Sequence, residues 1–192
     1  MRKILEIVAF VLVTQYLSAQ NIEVGAEFSY GKTDYTSYLY FKGLFSEDAT
    51  NYLNFGFSAS TNPHKSVLFV NSGLLYNRIY DQRYSLNFFK IPVGIDLAFG
   101  NRLKFLFGGG AYINWLFYTK GLQESSKTRD ITIGLYSDLG LRYLIVRDWC
   151  IYLKTRMEFD QLSLFIDDDG SDEHYYNYGV TIGFKYLIPL KD

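Results

Sequence analysis

The densest patch of possible metal ligands in the sequence is Asp167-Asp168-Asp169-Gly170-Ser171-Asp172-Glu173. Carboxylates this close together can offer calcium the oxygen ligands it takes, with Asp167, Asp169 and Asp172 as the candidate set. The spacing departs from an EF-hand loop, because glycine follows the third Asp directly and no bidentate Glu stands at the required distance. The run reads more simply as a solvated acidic loop tip. Nearby, Asp160, Ser163 and His174 are an acid, a hydroxyl and an imidazole, which brought together would make an activated nucleophile. Only nearness along the chain links them, and His174 serves as readily as a loop residue, so no catalytic residue is expected. His64 stands in the turn-forming Asn62-Pro63-His64 without a partner. No glycine-rich loop follows a strand and opens a helix, which leaves nucleotide binding without support. The single cysteine, Cys150, excludes an intramolecular disulfide and a Cys cluster for zinc or iron–sulfur. It suits the role of a small apolar strand residue. No cofactor is expected.

The elements that must carry these residues are strands. A chain of 192 residues with three prolines has room for one domain and no Pro-rich linker to divide it. Its net charge of -1 provides no basic field for nucleic acid. Aromatic residues reach 19%, mainly 18 Tyr and 16 Phe, an excess that suits strands and interfaces. From Asn21 onward apolar residues recur every second position for about ten residues at a time, the length of a transmembrane strand. Ile22, Val24, Ala26, Phe28 and Tyr30 oppose Glu23, Gly25, Glu27 and Ser29. Leu53, Phe55, Phe57 and Ala59 likewise oppose Asn54, Gly56, Ser58 and Ser60. The third strand, near residues 66–77, alternates less cleanly. Further strands follow from Phe89, Leu103, Ile131, Ile151 and Tyr176, with Pro92 expected to bring a bulge or local irregularity because it cannot donate to the ladder. The fold class is therefore all-β: a single antiparallel, up-and-down transmembrane barrel of about eight strands, an even number that closes.

The connections support a membrane barrel over a soluble sandwich. Short turns are expected at Asn62-Pro63-His64, Gly100-Asn101 and Val146-Arg147-Asp148. They alternate with mostly longer, polar connections around 31–50, 78–84, 119–130 and 160–174, as in outer-membrane barrels. Tyr30, Tyr52, Tyr76, Trp115 and Tyr118 at one end and Phe99, Tyr143, Trp149 and Tyr186 at the other fit two interfacial girdles. Ahead of the strands, Met1-Arg2-Lys3, the apolar Ile4 to Val13 and Leu17-Ser18-Ala19 read as a signal peptide over 1–19, cleaved after Ala19. The barrel domain then spans 20–192. Gln20 follows the cleavage point where a lipoprotein needs Cys, so the expected location is the bacterial outer membrane, held by strands alone.

With lipid outside, Glu23, Glu27, Lys90, Asp96, Lys104, Asp138, Arg142, Lys154, Arg156, Glu158 and Lys185 must point inward. Eight strands enclose a space just wide enough for side chains to fill, so these charges are expected to pair with one another or with trapped water. The alternative use of such a lumen is a gated solute or proton path. The first long loop carries Tyr35, Tyr38, Tyr40, Phe41, Leu44 and Phe45, a cluster suited to contact with a partner or to folding over the barrel mouth.

Several stretches resemble the outer-membrane barrel families of Bacteroidota, PorT-like proteins among them, and more distantly OmpA- and OmpX-like barrels. They are Leu74-Leu75-Tyr76, the run from Phe88 to Gly94, Phe107-Gly108-Gly109-Gly110-Ala111-Tyr112, and the strand from Gly134 to Arg142. The resemblance covers almost the whole mature chain and implies the fold but no site. The chain continues past Tyr186 to Leu190-Lys191-Asp192, where many such barrels end on an aromatic residue. The expected function is non-enzymatic: a structural or accessory component of an envelope or secretion assembly, with outer-membrane lipid and other envelope proteins as partners. The alternatives are a narrow porin-like channel or sensor and a lipid-modifying enzyme.

Overall fold

The computed structural model describes residues 21–36, 50–62, 67–81, 84–121, 127–128, 130–160, 165–166 and 172–189. Its strands are β1 (Asn21–Thr36), β2 (Thr50–Asn62), β3 (Leu68–Tyr80), β4 (Ser85–Gly100), β5 (Leu103–Lys120), β6 (Lys127–Thr128), β7 (Ile131–Val146), β8 (Trp149–Asp160), β9 (Phe165–Ile166) and β10 (Asp172–Pro189). The eight long strands pair antiparallel in the order β1-β2-β3-β4-β5-β7-β8-β10, and β10 returns to β1 from Asn21↔Pro189 to Thr36↔His174. The sheet is thus closed and has no free edge. The two-residue β6 and β9 join the start of β10 in a small separate sheet beyond the barrel.

Alternation along each strand divides the residues between two environments. Outward positions are apolar and exposed, with Phe57 76%, Phe105 64% and Leu139 62% accessible. The inward positions include the buried Glu27, Asn54, Lys90, Asp138, Arg156 and Thr181. This inverts the usual arrangement of a soluble protein, and the apolar exterior far exceeds an ordinary exposed patch. No helix among the described residues is long and apolar enough to cross a membrane. A closed sheet is the other structure that satisfies its backbone in lipid, and strands of 12–18 residues exceed the roughly 9–11 needed to span one.

Two local expectations change. The connection around 78–84 is not long: β3 and β4 continue to Tyr80 and Ser85, leaving only residues 81–84 between them. Ile79 and Leu86 face each other across this ladder and are both buried, so pairing continues as long as there is interior to fill. The Asp81 carboxylate accepts the Tyr84 N–H at 2.8 Å and helps close the turn. The turn expected at Asn62-Pro63-His64 lies outside the described residues beyond Asn62, which ends β2, and β3 starts at Leu68 opposite Leu97. Tyr52 belongs to no girdle: it points inward and is fully buried.

Pro92 brings the expected local irregularity, in the form of a lapse in pairing and not a bulge. Its pairing with Tyr112 of β5 holds, while the β3–β4 ladder is interrupted opposite Gly73 and Leu74 and resumes in the same register. A register shift lies nearer the start of β4, where Asn87 pairs with Tyr118 but Phe88 with Leu116. Phe117 is the extra residue, so Phe117 and Tyr118 both face out and Leu116 turns in. At the opposite end Gly100 (φ 122°) makes the tight β4–β5 turn in a conformation that side chains disfavour.

Candidate functional site

The interior is built in tiers of side chains that reach across the barrel. Nearest the short turns, Arg142 of β7 donates to Glu23 of β1, whose other oxygen accepts the Ser60 hydroxyl at 3.0 Å. Lys185 donates to that same hydroxyl oxygen at 3.1 Å. At mid-height Lys154 bridges Asp96 at 2.6 Å and Asp138 at 3.4 Å. Arg156 grips Asp138 with two parallel bonds of 2.8 Å and lies 3.5 Å from Glu27. Higher again, Lys90 donates to Glu158 at 2.5 Å, with Asn177 donating to the same oxygen at 2.9 Å. Lys90 is 0% exposed, so its charge depends on that partner and on the Tyr112 ring 4.2 Å away. Bidentate arginine and charge-assisted bonds of this kind offset the cost of taking ions out of water.

Two tyrosines share a device that spans three neighbouring strands. Tyr152 of β8 pairs with Gly183 of β10, which pairs with Glu27 of β1. Because Gly183 has no side chain, the Tyr152 ring lies across β10 and its hydroxyl donates to Glu27 at 2.7 Å. In the same way Tyr112 of β5 lies across Gly134 of β7 and donates to Asp160 of β8 at 2.5 Å. A Cβ on either glycine would run into the ring it supports.

Every inward charge expected from the alternation faces the lumen, and ten of them, Glu23, Glu27, Lys90, Asp96, Asp138, Arg142, Lys154, Arg156, Glu158 and Lys185, are buried there. Lys104 is less deeply placed and lies 5.5 Å from the Phe69 ring. Asp160, expected in the connection that holds Ser163 and His174, is a strand residue instead. It is the last residue of β8, in phase with Glu158, and buried against Tyr112. Ser163 and the His174 side chain lie outside the described residues, as do Asp167, Asp169 and the Asp172 side chain. The same holds for Tyr38, Tyr40, Phe41 and Phe45 and for the side chain of Tyr35. No group of metal-ligating side chains occurs among the described residues.

The two ends of the lumen differ. Toward the long connections Tyr52, Ile79, Leu86, Phe88 and Leu116 form an apolar cluster with Tyr84 against it. Between the tiers below are two voids of about 20 Å³, each with room for roughly one water. Toward the short turns the interior opens into a cavity of about 240 Å³, with Glu23, Phe69, Arg102, Lys104, Arg142 and Arg147 among its walls.

No protein-family model matches the chain, and no curated protein matches it. Solved barrels do. Neisserial surface protein A aligns with a TM-score of 0.55 at 12% identity over 84% of this chain and 95% of its own. Outer membrane protein AlkL, studied in DMPC lipid bilayers, aligns with a TM-score of 0.55 at 13% identity over 91% and 93%. The N-terminal β-barrel domain of Pseudomonas aeruginosa OprF aligns with a TM-score of 0.50 at 11% identity over 88% and 98%. The chain has the fold of the small outer-membrane β-barrels.

Proposed function

We propose that the protein is an integral, non-enzymatic barrel of a bacterial outer membrane, a structural or accessory component of an envelope or secretion assembly that acts through its extracellular loops. The observation that carries this reading is the filled interior. Among the described residues, cross-lumen ion pairs fill the interior and the voids between them measure only about 20 Å³ each. With the lumen occupied by its own side chains, recognition falls to the exposed ends. The apolar exterior supports residence in lipid, and the likeness to small outer-membrane barrels supports the outer membrane in particular. On this reading residues 1–19 are the export signal, the short turns face the periplasm, and the first long loop with Tyr38, Tyr40, Phe41 and Phe45 is the contact surface. A PorT-like role fits the sequence stretches that resemble that group.

The test is affinity purification of the tagged barrel from detergent-solubilised outer membranes, beside a variant with residues 37–49 replaced by a Gly-Ser linker. Co-purifying envelope proteins that are lost with the loop are expected. Stepwise conductance of the purified protein in planar bilayers would overturn the reading in favour of a channel.

A further inference from the structure

The cavity at the short-turn end collects more positive than negative charge, and the ladder itself sharpens this imbalance. Lys104 of β5 and Arg142 of β7 are direct cross-strand partners, a like-charge pairing that disfavours the sheet on its own. Both cations lie over the same ring, Phe69, at 5.5 and 4.8 Å. Glu23, the one carboxylate in the cavity wall among the described residues, is already engaged by Arg142 and by a serine hydroxyl. Among the described residues no carboxylate forms an ion pair with Lys104. The two tight turns bring Arg102 and Arg147 to the rim, and Arg102 is fixed there by donating to the Leu144 and Ile145 carbonyls at 3.1 and 3.0 Å. Asp148, on the same turn as Arg147, is not part of the wall.

We propose that this vestibule binds a phosphate-bearing anion from the periplasmic side, with Lys104 and Arg147 supplying charge that no carboxylate among the described residues pairs with, and Arg142 and Arg102 lining the seat. Its volume of about 240 Å³ admits a small phosphate ester or one lipid headgroup and nothing polymeric. Clustered arginine and lysine match the planar and point-charge modes of phosphate recognition. The periplasmic orientation rests on the function proposed above, whereas the site rests on the cavity alone.

The experiment titrates the purified full-length barrel, in an uncharged maltoside detergent, with inorganic pyrophosphate. Calorimetry measures affinity, and the amide NMR shifts of Asn101 and Arg147 report location. Saturable binding with a dissociation constant below about 1 mM at low salt is expected, weakened about tenfold or more in the Lys104→Gln/Arg147→Gln double variant. A parallel arm compares phosphatidylcholine nanodiscs with and without phosphatidylglycerol. Shifts of the same amides that need phosphatidylglycerol, with no response to pyrophosphate, assign the seat to a lipid headgroup. Absence of saturable binding in both arms, or equal affinity in the double variant, overturns the site and leaves the barrel and its location untouched. Labelling of Asn101→Cys by an impermeant maleimide on intact cells would instead overturn the orientation.

Discussion

At the loop end the lumen finishes in five buried apolar side chains, while at the turn end it widens into a cavity ringed by cations. The two ends lie on the same strands, so the difference comes from which residue types occupy the inward phase. Ile79, Leu86, Phe88 and Leu116 continue the positions that carry Asn77, Lys90 and Asn114 deeper down, and they seal the mouth without needing partners. Arg142 and Lys104 continue those of Asp138 and Gly108, and they bring to the opposite mouth more positive charge than Glu23 can match. An apolar plug is complete in itself, whereas a charged rim is complete only with a counter-charge. The first is a lid, the second a docking point.

The two ends would cease to differ if the interior were less tightly built than its contacts imply. The largest effects are expected from Arg156→Ala, which takes the guanidinium away from buried Asp138 and Glu27, and from Phe88→Ala, which hollows the plug. Each should lower stability by about 3–5 kcal/mol in urea unfolding from lipid vesicles. Phe88→Ala should remain non-conducting, because the ion-pair tiers lie beneath the plug. Loss of about 1 kcal/mol or less in Arg156→Ala would mean that the tiers do not hold the lumen. An intermediate cost of about 1–3 kcal/mol is expected for Gly183→Ala, whose new methyl group meets the Tyr152 ring. The same urea curves check it, and loss of the Tyr152 hydrogen bond to Glu27 should appear in the tyrosine side-chain NMR signals. The smallest effect is expected at the open end. Lys104→Gln removes one of two opposed cations and should stay within about 1 kcal/mol of the parent, on the stabilising side. Clear destabilisation there would reveal a partner for Lys104 and make the two ends alike.

Much of this organisation was legible from alternation alone. Glu23, Asp138 and Arg156 stand on the polar side of their strands, and a strand places every second residue on one face. Tyr52 and Asp160 turn inward, in phase with Asn54 and Glu158, although their residue types do not announce it. An aromatic near a strand end looks the same in a girdle or a plug, and an acid after the last apolar residue looks like a loop. Partners were not legible. Among the ion pairs of the described residues Asp138 and Arg156 are direct ladder partners, while Lys90–Glu158, Lys154–Asp96 and Arg142–Glu23 join strands that are not neighbours. The tyrosine-over-glycine rows need register across three strands, which no local pattern encodes.

The seam between β1 and β10 also governs how the molecule can form. Ser29 and Thr181 meet across it at 2.8 Å although 152 positions apart in the chain. Until that seam forms, β1 and β10 each present an unpaired edge, and a bilayer cannot satisfy it. Closure therefore depends on the most distant contacts in the chain, the kind whose loop-closure entropy slows folding. A kinetic study should find that β10 arrives late and that its arrival coincides with insertion, so that a chain stalled before β10 is a target for chaperones and proteases rather than a smaller barrel.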